Sequence, residues 1–341
     1  MADRDAPEKL RGDLRTAWHR YVDMLVPLRP ALYGYCRRLA GNVWDAEDLV
    51  QETLLRSFGQ WGVSYGEVRN PRAYLLRTAT NLWIDTLRRR ETEARVLGES
   101  SDGTGDQTGT QETASEMRSA GSRLLQRLSP QERAAVVLKE AFEMTLEEIA
   151  DLLATTTGAV KAALHRGRGR LREPEGAAAS HRPLPSPELL DRFIELCNAE
   201  DVKGLVGLML HGGAAENPGN SFHIGPDPSE GFPRFLRSVV HAHPEWPPQF
   251  QPESKRLERV EFEGEPIVLA FRTYPGREEA LTSILRFEER DGRIARIRSY
   301  AFCPETIRAV GELLGVSVLT GLYRAPTPAP GADWPEPTSS R

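Results

Sequence analysis

Apolar residues along the first ninety positions recur at helical spacing, with almost none of the alternation that marks strands. Residues 28–61 read as two amphipathic helices split at Gly41, and in the second Ala46, Leu49, Val50, Thr53, Leu54 and Phe58 form the inward face. Asn70 followed by Pro71 opens a third helix, with Tyr74, Leu75, Ala79 and Leu82 turned inward. The stretch 99–116 is rich in Gly, Ser, Thr and acids and has no apolar period, so a flexible tether is expected there. Helical pattern returns from Leu124 to Leu171, and a second break, 173–187, is loaded with Pro, Ala and Gly. Beyond it a helix over Leu189 to about Leu210 gives way to strand patterns at 257–264 and 267–271, then to 281–302, where Asp291-Gly292 marks a hairpin. The Pro-rich tail after Tyr323 is expected to be disordered.

At 341 residues the chain is too long for one ordinary core and suggests roughly two or three domains. Its 39% hydrophobic and 27% charged residues and its mean hydropathy of −0.46 are those of a globular protein. No apolar run approaches the roughly 20 residues of a membrane span, and the N-terminal segment lacks the apolar centre of a secretory signal. A cytoplasmic protein with no membrane association is expected. Cys36, Cys197 and Cys303 lie far apart, without the paired spacing of a zinc or redox site, so no metal and no cofactor is expected. A net charge of −5 argues against general coating of nucleic acid. Local clusters at Arg88-Arg89-Arg90 and between Lys161 and Arg172 nevertheless leave room for specific contacts.

The most informative stretch is 129–172. Ser129-Pro130-Gln131-Glu132 reads as a capping box opening one helix, and Thr145-Leu146-Glu147-Glu148 repeats it for a second, whose Leu146, Ile149, Ala150 and Leu153 share one face. A short turn at Ala154-Thr155 delivers Thr156 as a third cap, and the helix after it buries Val160 and Leu164. Two short helices joined by a tight turn, the second carrying Lys161, His165, Arg166, Arg168 and Arg170, fit a helix-turn-helix. Thr156, Thr157 and Lys161 would meet base edges or phosphates, and the arginines would hold the backbone.

This segment resembles region 4 of the extracytoplasmic-function (ECF) sigma factors. The family pattern stands here as Leu128-Ser129-Pro130-Gln131-Glu132-Arg133, Glu148-Ile149-Ala150 and Val160-Lys161-Ala162-Ala163-Leu164-His165-Arg166-Gly167-Arg168. Positions 162 and 163 are Ala-Ala where the family often has Ser-Arg. The resemblance implies reading of a promoter −35 element by Thr156, Thr157, Lys161, His165, Arg166 and Arg168.

Residues 45–52, Asp-Ala-Glu-Asp-Leu-Val-Gln-Glu, resemble the region 2 signature of the same family, without substitution. By that resemblance Asp48, Gln51, Glu52 and Leu55 would bind the clamp of core RNA polymerase. The helix after Asn70 mixes aromatic and basic residues, a composition suited to holding an unstacked base beside a phosphate track. It resembles ECF regions 2.3 and 2.4, which implies that Arg77, Thr80, Asn81, Asp85, Arg88 and Arg89 meet the melted −10 strand. Trp83 suits core packing and DNA contact equally.

The last third looks like a SnoaL-like α+β cone, with Asn198-Ala199-Glu200-Asp201 matching the turn between that fold's first two helices. The resemblance implies a regulatory role for the cone, with a small-molecule ligand as an open alternative; Gly212-Gly213 is the nearest fragment of the glycine-rich signature of ECF factors that carry it. His223, His241, His243, Tyr274 and Tyr300 are the polar candidates for an enzymatic pocket, but no carboxylate–histidine constellation is legible, so no enzyme is expected. The expected architecture is multidomain: two all-α helical sigma domains, the second a helix-turn-helix, followed by an α+β cone. The expected divisions are 1–95 (region 2), 96–121 (linker), 122–173 (region 4), 174–187 (linker), 188–322 (regulatory cone) and 323–341 (tail). Core RNA polymerase, duplex promoter DNA and the melted −10 strand are the expected partners. A ligand-responsive helix-turn-helix repressor is the alternative, disfavoured by the clamp-helix signature.

Overall fold

The computed structural model describes residues 14, 17–18, 20–63, 70–97, 128–171, 184–224, 235–236, 239, 251–321 and 338–340. The tether at 99–116, most of the break at 173–187, His241, His243 and the tail through 337 lie outside the described residues. The chain divides into two compact units, Met1–Ser180 and His181–Arg341.

The first unit is helical. Helix α1 (Arg29–Ala40) ends at Gly41, whose φ of 87° is a left-handed stop, and Asn42 then opens α2 (Val43–Val63) by accepting from the Asp45 amide at 2.8 Å. Helix α3 (Pro71–Leu97) starts where Asn70 Oδ1 accepts from the Ala73 amide at 3.0 Å. Together α1, α2 and α3 form a first module around Leu32, Cys36, Leu39, Val50, Leu54, Leu75 and Ala79, all nearly or fully buried. A second module holds α4 (Pro130–Glu140), α5 (Leu146–Leu152) and α6 (Thr157–Arg170). Both capping boxes are present, and Thr156 Oγ1 accepts from the Ala159 amide at 3.1 Å. In α5 the inward residue near the end is Leu152; Leu153 is the half-buried cap, because the helix stops there and Ala154 turns with φ of 50°. Helix α6 crosses α4 closely at Gly167, where a Cβ would stand 3.0 Å from Val136 Cγ2.

The second unit is α+β. The predicted helix over 189–210 is two helices, α7 (Pro187–Asn198) and α8 (Val202–Leu208). Between them Glu200 adopts φ of 56°, and Asp201 caps α8 by accepting from the Gly204 amide at 2.8 Å. The strands are β1 (Met209–Asn217), β2 (Ser221–Ile224), β3 (Ser254–Phe262), β4 (Glu265–Thr273), β5 (Ala280–Arg290) and β6 (Arg293–Ser299), in the order β2-β1-β6-β5-β4-β3. Within this order neighbours are antiparallel except β1 and β6, which run parallel, with Gly212-Gly213 inside the register shift of β1. Two hairpins turn through paired left-handed residues, Glu263-Gly264 and Asp291-Gly292, the geometry that matches strand twist. Leu190, Phe193, Leu196 and Leu205 of α7 and α8 pack on Val268, Leu285, Phe287, Ile294 and Ile297 of the sheet.

Helix α9 (Pro304–Leu314) packs against β5 and leads to β7 (Val318–Thr320). The tail corrects the expectation of disorder at its very end: Thr338–Ser340 form β8, antiparallel to β7, with Leu319 opposite Ser339. Its Thr-Ser-Ser sequence carries no apolar signal; main-chain pairing alone makes it a strand.

Within the sheet Arg286 donates to both oxygens of Glu265 at 2.6 Å, with each side chain only 9% exposed. Removing one partner strands a buried charge. Arg286→Leu should destabilise the second unit by about 3–5 kcal/mol, and pairing it with Glu265→Met should recover most of the loss. Calorimetric unfolding of the full chain, read at this unit's transition, checks both.

Candidate nucleic-acid interface

Helix α2 sorts its residues by position. Glu47, Val50, Gln51 and Leu54 fall on one stripe and are all buried. Glu47 is charged and fully enclosed, so it needs donors: Arg29 supplies one at 2.7 Å and the Gln51 amide another at 2.5 Å. Gln51 is therefore taken inside, away from the surface where a partner contact was expected. Asp48, Glu52 and Leu55 recur at i, i+4 and i+7 on the outer side. Asp48 is half-buried, Glu52 is exposed, and Leu55 is a large apolar side chain 52% exposed.

Helix α3 shows the same sorting. Arg77, Asn81, Asp85 and Arg88 line one exposed stripe with Arg89 beside it. Thr80 lies on the other side, buried, where it receives the Tyr35 hydroxyl at 2.6 Å and donates to the Leu76 carbonyl. Trp83 is buried too, so the structure assigns it to packing. Thr80 and Trp83 thus leave the set of exposed candidates, because α3 has to seat α1 with that face.

On α6 every expected contact residue faces outward except Thr157, which is half-buried. Lys161, His165 and Arg168 rim a groove of about 610 Å³ together with Lys139, over a floor of Leu146 and Leu164. Among the described residues no side-chain ion pair involves Lys161 or His165. The arginines differ: Arg168 pairs with Glu140 at 2.5 Å, whereas Arg166 and Arg170 converge on the buried Glu132 at 3.0 and 2.6 Å. Sequence reading found Glu132 as a capping residue and missed this second task, which exists only once α6 folds over α4.

A tether implied two independent modules; the structure packs them together. Arg133, buried on α4, donates to the Leu39 carbonyl of α1, and its guanidinium lies 4.8 Å from the Trp83 ring centroid. Burial pulls its pKa down to about 10, which still leaves it charged at neutral pH. At the corner after α4, Phe142 meets Tyr35 edge-on at 5.5 Å, with the guanidinium groups of Arg38 and Arg72 over its ring at 5.9 and 5.6 Å. Arg77, on the exposed stripe of α3, donates to the Asp151 carbonyl of α5.

Comparison with known proteins matches residues 24–93 to Sigma-70 region 2 and residues 122–171 to Sigma-70, region 4. ECF RNA polymerase sigma factor SigG of Mycobacterium tuberculosis (strain ATCC 25618 / H37Rv) is 30% identical over 269 residues, covering 70% of each chain. The chain belongs to the ECF RNA polymerase sigma factors. SigJ of the same strain is 33% identical over 194 residues, covering 53% of this sigma factor and 60% of SigJ. Among solved structures, M. tuberculosis SigJ aligns over 84% of this chain and 98% of its own, at 22% identity and a TM-score of 0.32. RpoE of Bartonella quintana, solved with the anti-sigma factor NepR, aligns over 45% and 94%, at 26% identity and a TM-score of 0.34.

As an alternative sigma factor the protein binds core RNA polymerase and promoter DNA and directs transcription initiation; it is not an enzyme, and the repressor alternative falls. Tyr274 and Tyr300 are both buried in the second unit. Among the described residues no helix is long and apolar enough to cross a membrane.

The Phe142 contact between modules is testable. Phe142→Ala removes an aromatic pair and two cation–ring contacts, so the modules of the free sigma factor should separate more often. Fluorophores on exposed positions of α3 and α6 should show a larger mean distance than in the wild type, with unchanged helix content.

Proposed function

We propose that three surfaces divide the work of this sigma factor. Asp48, Glu52 and Leu55 form the polymerase-binding stripe, with Gln51 supporting it from inside through Glu47. Charged residues around one exposed apolar side chain suit docking to a basic partner helix. Arg77, Asn81, Asp85, Arg88 and Arg89 face the melted −10 strand, with Thr80 and Trp83 fixing the helix that presents them. Thr156, Thr157, Lys161, His165, Arg166 and Arg168 engage the −35 duplex. The observation that carries the reading is the outward stripe of α3: Arg77, Asn81, Asp85, Arg88 and Arg89 are exposed together, while Thr80 and Trp83 pack inward.

The sequence divisions are retained as functional segments: region 2 within 1–95, region 4 within 122–173, a regulatory domain over 188–322, and linkers between. The promoter's two elements lie about 25 base pairs apart, roughly 85 Å of duplex at 3.4 Å per pair. Modules joined through Arg133 and Phe142 cannot reach both at once, so these contacts open when the protein acts. The second unit, a SnoaL-like cone, modulates promoter use in the cytoplasm. Modulation by the domain itself is the reading carried forward, with a bound small molecule as its alternative.

Two experiments check these assignments. Asp48→Lys should abolish co-elution with core RNA polymerase while leaving the thermal transition unchanged, and retained co-elution counts against the stripe. A chain ending at Pro183 should give a different promoter-dependent transcript yield from the full chain; equal yields would remove the regulatory role.

A further inference from the structure

Region 4 carries a buried acid where a DNA-binding surface would be expected to avoid one. Glu132 lies in the first turn of α4 with its side chain 3% exposed, and its carboxylate has three partners. Oε2 accepts from the Ser129 amide at 3.1 Å and from Arg170 at 2.6 Å, and Oε1 accepts from Arg166 Nε at 3.0 Å. Burial by itself would raise the carboxyl's pKa, but the Ser129 amide and the Arg166 guanidinium hold it below the ordinary value. The anchor is therefore charged at neutral pH, fixed by the helix cap on one side and by the recognition helix on the other.

The arginines are held in a particular way. Arg166 and Arg170 stand one turn apart on α6, and both side chains remain half exposed, at 57% and 47%. Arg166 uses Nε for the carboxylate, which leaves both terminal nitrogens of its guanidinium for another acceptor. One negative charge serves two positive ones, so the cluster keeps an excess positive charge at the surface. Long arginine side chains lose rotamer freedom when they grip phosphate, and an anchor that restricts them beforehand lowers that loss.

We infer that Glu132 is a positioning residue for promoter binding: it holds the guanidinium groups of Arg166 and Arg170 in the arrangement that receives DNA backbone phosphates. The inference rests on the reading of Arg166 as a contact with the −35 duplex. Its partner is the sequence-independent phosphate track, so its effect belongs in the salt dependence of binding.

The test uses holoenzyme assembled from the full chain and core RNA polymerase, with a duplex recovered from a random-sequence pool by the wild-type holoenzyme. Affinity is measured across a potassium chloride series. Glu132→Gln keeps a side chain that can complete the cap but removes the charge. It should weaken binding about tenfold at near-physiological salt and make the slope of log affinity against log salt shallower by about one. Ser129→Ala removes the hydroxyl half of the cap and leaves the arginine pairing in place; it should lower the thermal midpoint without changing the slope.

Arg166→Lys leaves the cap untouched and retains the charge, yet lacks the Nε–H that meets Glu132, and it should behave as Glu132→Gln does. This variant keeps the inference testable where Glu132→Gln fails to fold. Wild-type affinity and slope in Arg166→Lys, or unchanged or tighter binding by a folded Glu132→Gln, would overturn the positioning role. Arg166→Ala separates the two levels. If it leaves affinity and slope unchanged, Arg166 is no phosphate contact and the underlying reading fails with the inference. If it weakens binding while Glu132→Gln does not, only the inference fails.

Discussion

Two neighbouring charges on α4 organise the helical unit. Glu132 turns toward the recognition helix and Arg133 toward the first module, and both are buried at the head of an apolar run, Ala134, Ala135, Val136, Val137 and Leu138, that is itself buried all round the helix. A buried charge must find partners, and these partners are specific: two arginines and an amide for the acid, a carbonyl and an indole face for the base. Apolar packing alone would allow α4 to rotate or slide by small amounts. The opposed charges fix both its rotation and its register, so the seating of α6 and the seating of the first module become one problem with one solution.

Much of this was legible in the sequence. Caps at Asn70, Ser129, Thr145 and Thr156, the stop at Gly41 and the Asp291-Gly292 turn are local: each depends on a few adjacent residues whose side chains meet their own backbone. What escaped the reading depends on partners distant in sequence. Gln51 looked like a surface polar residue until Glu47 and Arg29 came together over it, and Trp83 could not be assigned until Arg133 was placed on its ring. Glu263-Gly264 shares the backbone geometry of Asp291-Gly292 but begins with a residue that rarely takes positive φ, so its turn carried a weaker signal. The helical pattern over 189–210 runs through the break because Ala199-Glu200-Asp201 contains no glycine or proline, and only the resemblance carried by Asn198-Ala199-Glu200-Asp201 marked a turn between two helices there.

Strands β4 and β5 are buried along most of their length, with α7 and α8 contributing leucines and a phenylalanine to one core and α9 packing on β5. Phe193 and Phe287 meet edge-on at 4.9 Å, closing the space between the first helix and the sheet. The Glu265–Arg286 pair sits within this apolar surround and ties β4 to β5 at fixed register.

Strand β8 lies antiparallel along β7. Main-chain groups of Thr338–Ser340 complete the outer rim of β7, which would otherwise present unpaired hydrogen-bonding groups to any passing extended peptide. Detaching that strand would bare a template for edge-to-edge association between molecules.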